Sequence, residues 1–242
     1  MFHLDVDGPV ARLRIDHAAT LNAIGMAGWL ELPRLLEAAE AAGAAVLLLT
    51  GEPGGSFSAG SDLNEFAIFQ ADPDARATFR QAMRGALDAV AAAPTPIIAL
   101  VEGVCYGAAV ALAMACTLRV AGHEARFGIT PARLGISYPQ EDVHRLVTLV
   151  GAGQAARLLL GAETIVAADA LRIGLVDLTG GAAAAETLAE RIAGFDRDSV
   201  ATLCRALRLA RRGVASDPEQ DRAFDALLGS PNLARRLAER RR

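Results

Sequence analysis

Two uninterrupted apolar runs, AVLLLT (45–50) and IIALVEG (97–103), constrain this chain more than any other feature. A strand with water on one face alternates apolar and polar side chains. A strand that is apolar at successive positions is covered on both faces, the pattern of a parallel sheet wrapped by helices. The intervening segments supply the helices. Met26, Trp29, Leu30, Leu32, Leu35 and Leu36 recur at helical spacing across about 25–42, and Pro33 is expected in that helix's first turn or at a kink. An amphipathic, Ala- and Arg-rich helix over about 74–92 is stopped by Pro94 and Pro96. The opening FHLDVDGPVARLRID alternates about Gly8–Pro9 and reads as a β-hairpin, while LRVAG (118–122) reads as a third short strand. Further helices are predicted around 107–117, 141–151, 152–160 and 167–173, and nearly everywhere from 183 onward. The class is α/β.

Composition narrows the chemistry. All 24 basic residues are Arg, so imine formation, a P-loop lysine and a lysine base are excluded. A net charge of −4 gives no reason to expect nucleic acid or an anionic membrane as partner. The three cysteines form no CxxC, and His3, His17, His123 and His144 form no HxxxH pair. Reduced thiols and no metal site are therefore expected. The longest uncharged stretch, Gly103 to Leu118, is short of the ~20 residues of a membrane span. With no basic-then-apolar pattern at the N-terminus, a cytoplasmic protein is expected.

Three segments could carry chemistry. The glycine-rich loop 51–63, GEPGGSFSAGSDL, could bring main-chain N–H groups close to a ligand, or could be a plain surface connection. In VEGVCYGAAVALAMAC (101–116) a strand leads into a helix of tiny residues. The start of that helix offers free N–H groups to a developing oxyanion, although close packing alone would also select alanine. The third, LVTLVGAGQAARLLL (146–160), imitates a dinucleotide fingerprint through GxGxxA at 151–156, with Asp169 as a conceivable ribose ligand, and carries the lesser alternative of a nicotinamide (NAD)-dependent oxidoreductase.

Taken in order, VDGPVARLRID, LNAI (21–24), FSAGSDL (57–63), PTPIIALVEGVCYGAAVALAMAC (94–116) and TIVAADALRIGLVD (164–177) resemble the enoyl-CoA hydratase/isomerase (crotonase) superfamily over nearly the whole chain. The resemblance implies a spiral of ββα units over residues 1–185. It also implies a C-terminal helical trimerisation region over 186–242, giving a homotrimer or a dimer of trimers. The implied substrate is an acyl-CoA thioester, with no cofactor beyond the CoA it carries. The implied oxyanion donors are the backbone N–H groups of Ser61 and Ala108. Ala59, Gly60, Asp62, Leu63 and Gly107 are the implied substrate-binding residues, and Asp62 caps the helix that follows.

Departures from the family pattern restrict the reaction. Hydratases of the family carry two glutamates where this chain has Ala111 and Pro131, neither of which moves a proton. Isomerisation through an enolate is therefore favoured over two-glutamate hydration. The alternative is a degenerate member that binds acyl-CoA or stabilises an oligomer. In the loop LGISYPQEDVHRL (134–146), Glu141 is the first candidate for the proton shuttle and Tyr138 the second. Glu141 and Asp142 at a helix N-terminus are expected to have lowered pKa values, or to be simply a helix-start acidic pair. His144 and Asp88 are weaker candidates. Without Lys, the CoA phosphates fall to arginines, with Arg222, Arg235, Arg236 and Arg240–Arg242 available near the C-terminus.

Overall fold

The computed structural model describes residues 1–52 and 55–239. Strands β1 (Phe2–Asp7) and β2 (Val10–Ile15) form the antiparallel hairpin, in register from Phe2↔Ile15 to Asp7↔Val10. After α1 (Met26–Ala41) comes β3 (Val46–Thr50), then α2 (Phe66–Ala71) and α3 (Pro73–Ala92). The centre of the chain holds β4 (Ile97–Val101), β5 (Val104–Tyr106), α4 (Ala108–Ala115), β6 (Leu118–Ala121) and β7 (Arg126–Gly128). It continues through α5 (Gln140–Leu160), β8 (Thr164–Val166), α6 (Ala167–Arg172) and β9 (Leu178–Thr179). Four helices close the described chain: α7 (Gly181–Ala193), α8 (Arg197–Arg211), α9 (Pro218–Leu228) and α10 (Pro231–Glu239).

The large sheet has the order β1-β2-β3-β4-β6-β9, parallel from β2 onward, and a small sheet has the order β5-β7-β8. Two successive turns of chain each place a strand in the large sheet, then one in the small sheet, then a helix: β4–β5–α4 and β6–β7–α5. This is the spiral of ββα units that the resemblance implied.

The apolar runs work as expected. On β3, Leu47 and Leu49 point into the main core with Trp29, Leu32 and Leu87, while Val46 and Leu48 face the other way. That outer face, with Ile98, Leu100 and Val120, is covered by Ala185 and Ala189 of α7. The expected boundary at 185/186 falls inside α7, between two fully buried alanines, so by its packing this helix belongs to the core.

Two local readings differ from the structure, and at 146–160 the predicted helices prevail over the dinucleotide pattern. Pro33 lies well inside α1 rather than in its first turn, because the helix starts at Met26. The small sheet has no counterpart in the sequence reading: β5, β7 and β8 have three residues each, too short for a period to show. Residues 146–150 are helical, and Gly151 (φ 76°, ψ 160°) is a break inside α5. No strand leads into the GxGxxA segment, as a dinucleotide site requires, and the nicotinamide alternative is thereby corrected.

Candidate active site

The two segments singled out from sequence meet in space. The loop 55–62 is threaded between two neighbours. Ile24 and Ser61 form a parallel bridge, with the Ile24 N–H donating to the Gly60 carbonyl (2.7 Å) and the Asp62 N–H to the Ile24 carbonyl (3.1 Å). On the other side the Ser58 N–H donates to the Val104 carbonyl (3.1 Å) and the Tyr106 N–H to the Ser58 carbonyl (3.0 Å). Alternation along the extended loop then leaves the Ser61 N–H pointing away from Ile24.

Gly60 makes the meeting possible. Its φ is +98°, and a Cβ there would lie 2.5 Å from the Tyr106 carbonyl oxygen and 3.1 Å from the Ala108 nitrogen. Any other residue would push the loop off the start of α4. Gly107 caps that helix at φ 53°, ψ −120°, a conformation open to glycine alone, and turns the Ala108 N–H outward. Ala108 is the first residue of α4, so its N–H has no intrahelical partner. Among the described residues, neither the Ser61 nor the Ala108 N–H donates to any protein group. Two unpaired donors therefore stand side by side, one at the positive end of a helix whose residues Ala109–Ala115 are all buried.

The Ala59 N–H is tied to the Leu21 carbonyl (2.8 Å), and the Gly107 N–H to the Gly128 carbonyl (2.9 Å). The Asp62 carboxylate accepts from the Asn64 N–H (2.9 Å), capping the turn Leu63–Glu65 as expected, and Leu63 is exposed beside it. Asn22 and Ser58 are residues whose role sequence reasoning missed. Buried Asn22 accepts from the His17 N–H (2.7 Å) and donates to the Ser56 carbonyl (2.7 Å). The Ser58 hydroxyl donates to the Asn22 carbonyl (2.7 Å) and accepts from the Gly60 N–H (3.0 Å). Asn22 lies within the LNAI motif, so the signal was present. Its function became legible only once the loop was seen lying across it.

The second half of the site is the segment leading into α5. A cavity of about 330 Å3 lies between Met83, Arg84 and Leu87 of α3 and Tyr138, Glu141 and Asp142. Tyr138 joins this cavity to the unpaired donors: its hydroxyl donates to the Gly107 carbonyl (3.0 Å), which belongs to the same peptide unit as the Ala108 N–H. Burial, with a further contribution from the nearby Asp142 carboxylate, pushes the Tyr138 phenol well above its ordinary pKa. The proton stays on the hydroxyl, which donates it in a hydrogen bond to that carbonyl, and this fits Tyr138 for holding the peptide better than for shuttling a proton.

Glu141 and Asp142 separate sharply. The Glu141 carboxylate is largely exposed and lies 3.6 Å from Arg84 Nη1. Asp142 is 1% exposed, with Oδ1 on Arg145 Nη1 (2.8 Å) and Oδ2 without a hydrogen-bond partner among the described residues. The lowered pKa expected of a helix-start carboxylate is reversed there. Desolvation raises the Asp142 pKa despite the opposing pull of Arg145 and Arg84. His144 is exposed to solvent on the same helix. Asp88 is held by Arg84 and by Arg145 (3.3 Å), with its pKa lowered chiefly by the Arg84 hydrogen bond. Ala111 is fully buried within α4, and Pro131 starts the short turn Pro131–Leu134. Of the arginines near the C-terminus, Arg222 is exposed, Arg235 donates to Asn232 (3.3 Å) and Arg236 to the Gly194 carbonyl (3.2 Å). Arg240–Arg242 lie outside the described residues.

The sequence profile of the enoyl-CoA hydratase/isomerase family matches residues 5–215. The chain belongs to this family. A probable enoyl-CoA hydratase (echA6) of Mycobacterium bovis is 32% identical over 203 residues, covering 84% of this chain and 80% of that protein. A probable enoyl-CoA hydratase of Bacillus subtilis is 34% identical over 176 residues, covering 72% of this chain and 67% of that one. The crystal structure of a putative enoyl-CoA hydratase/isomerase family protein from Hyphomonas neptunium superposes with a TM-score of 0.88 at 34% identity, covering 92% and 87% of the two chains. As a member of the enoyl-CoA hydratase/isomerase family, the chain has the crotonase fold throughout its core. No described helix is long and apolar enough to cross a membrane.

Proposed function

We propose that this protein acts on an acyl-CoA thioester by stabilising an enolate, and that its reaction is double-bond isomerisation. The observation that carries the reading is the pair of unpaired N–H groups at Ser61 and Ala108. A thioester oxygen placed between them accepts two hydrogen bonds at the point where negative charge collects when a Cα proton leaves. Family membership supports the substrate class. Hydration by paired carboxylates is disfavoured because Ala111 and Pro131 carry no titratable group, and the proton-transfer group is assigned to the rim formed by residues 138–142. With CoA carried on the substrate, the reaction calls for no separate cofactor.

The test is a panel of purified 2-enoyl-, 3-enoyl- and malonyl-type CoA thioesters analysed for product. Conversion of a 3-enoyl to a 2-enoyl thioester is the expected result. A second reading is suggested by the same two substitutions: a member that binds acyl-CoA without turning it over. Tight binding with no product from any member of the panel would replace the first reading with the second.

Tyr138 is assigned to orienting the Gly107–Ala108 peptide. Tyr138→Phe keeps the ring in the cavity wall and removes only the hydroxyl. A fall in kcat of about tenfold is expected, equivalent to one neutral hydrogen bond of ~1 kcal/mol, with KM little changed. The thioester C=O stretch of a bound acyl-CoA should move toward its free-solution frequency. A parent-like kcat and stretch would remove Tyr138 from this role.

Self-association through the C-terminal helices is part of the proposal. Leu203 and Leu207 on α8, Phe224 and Leu228 on α9 and Leu237 on α10 are all exposed large apolar side chains. Such a surface calls for a partner. Sedimentation velocity is expected to return a trimer or a multiple of it, and a monomer at micromolar concentration would count against the assignment.

A further inference from the structure

We propose that Asp142, rather than its exposed neighbour Glu141, is the catalytic acid/base of this site, taking the proton from Cα and returning it to Cγ through Oδ2. The inference rests on the enolate reading above and adds the identity of the group that moves the proton.

Three observations carry it. Asp142 borders the cavity that Tyr138 also lines, and the Tyr138 hydroxyl holds the peptide that carries the Ala108 N–H, so Asp142 lies beside the space the acyl chain would enter beyond the thioester. Its side chain is 1% exposed, yet only Oδ1 is engaged, by Arg145; Oδ2 is buried and unpartnered among the described residues. A buried polar atom without a partner is costly and rare in a folded protein, and such atoms concentrate where a ligand or a proton completes them. The third observation is the charge around it. Glu141 and Asp88 face Arg84, and Asp88 and Asp142 face Arg145, so three carboxylates share two guanidiniums. Arg80 lies exposed at the rim with no carboxylate in ion-pair range among the described residues. A proton taken up by this cluster relieves the excess negative charge, and it is best held on the carboxylate that water reaches least. Burial raises the Asp142 pKa against the lowering pull of Arg145 and Arg84, with Glu141 adding a smaller push upward.

The step balances without a co-reactant. Oδ2 takes a proton from Cα of a 3-enoyl thioester. The C–H electron pair becomes the Cα–C1 double bond, and the carbonyl π pair moves onto the oxygen held by the Ser61 and Ala108 N–H groups. As the carbonyl re-forms, the electrons of the former C3–C4 double bond take the proton at C4, which is Cγ, and a C2–C3 double bond remains. Asp142 ends as the carboxylate it began as.

The experiment follows exchange of the Cα hydrogens of a saturated acyl-CoA in D2O, which reads proton abstraction without needing a double bond to move. Asp142→Asn is expected to slow exchange by about 10²–10⁴-fold, the usual contribution of general acid–base catalysis. In the parent the rate should rise with pH, with a midpoint above the ordinary aspartate value, because the carboxylate is the abstracting form. Exchange without isomerisation would sink the isomerase reading and leave Asp142 standing. Exchange that survives Asp142→Asn, a larger loss in Glu141→Gln, or no exchange in the parent would overturn the assignment.

A titration of the folded parent labelled with ¹³C at aspartate carboxyls is independent of turnover, with Asp142 identified as the signal missing from the variant. Its midpoint is expected above the ordinary aspartate range and should shift when a saturated acyl-CoA binds. An ordinary midpoint that ignores the ligand overturns the proposal. Stability separates this role from a structural ion pair. Because the folded-state pKa is raised, the stability associated with the protonated form is present below the unfolded value and lost as pH rises through the folded one. Asp142→Asn should therefore gain in stability relative to the parent as pH rises across that window, whereas loss of a purely structural pair would make it progressively weaker.

Discussion

Ala108→Pro is expected to lower kcat/KM by about 10²–10³-fold, the cost of removing one oxyanion-hole donor. The substitution is clean for structural reasons. Ala108 is the first residue of α4, where proline is tolerated because its missing N–H had no intrahelical partner. Gly107, at φ 53° and ψ −120°, lies outside the α region that a following proline forbids. The helix should form as before, with its buried face Ala109–Ala115 intact. Unfolding midpoints close to the parent's, together with the loss in rate, would locate the effect at the N–H itself. Retention of full activity would remove the Ala108 N–H from the mechanism, since a proline nitrogen has nothing to donate.

Gly60→Ala should be at least as damaging, through position instead of chemistry. The added methyl would lie 2.5 Å from the Tyr106 carbonyl oxygen, a main-chain atom held within β5, and the residue would keep φ near +98°. Something must give, and because the loop carrying Ser61 is hydrogen-bonded on both sides, the strain falls on the loop and the start of α4 together. Strain of this kind costs about 1–3 kcal/mol of stability. A displacement of ~1 Å between two donors that must meet one oxygen costs about 10²-fold in rate. Denaturant unfolding measures the first and steady-state kinetics the second. A variant destabilised but fully active would show that the loop's exact approach to α4 is not needed.

Asp142 shows where reading along a chain stops being informative. Adjacent Glu141 and Asp142 look alike in sequence, and nothing in the sequence separates them as proton carriers. In the structure both residues border the cavity, but a rotation of about 100° between consecutive helix positions leaves one carboxylate exposed and buries the other. The helix-dipole argument applied equally to both, but desolvation depends on what packs against the turn. At Asp142 burial outweighs the helix terminus, and Arg84 across the cavity comes from α3, a distant part of the chain. Tyr138 was legible as a member of the site but not as a hydrogen-bond donor to Gly107, a contact between residues far apart in sequence.

The apolar runs with which the reading began determined by themselves that this chain builds a parallel sheet covered on both faces. Periods of 2 and 3.6 residues are local quantities, carried by five or more consecutive side chains. The ordered motifs at 57–63 and 94–116 likewise pointed to the family and to the two segments proposed to hold the thioester oxygen, because glycine's access to positive φ is a property of single residues. Tertiary structure alone decided the small sheet of three-residue strands, the brace from Asn22 and Ser58, and which carboxylate the cavity buries. Each depends on contacts between residues distant in sequence, where free energy is set by what excludes water and what accepts a hydrogen bond. Those quantities belong to the packed molecule and leave no period in the chain.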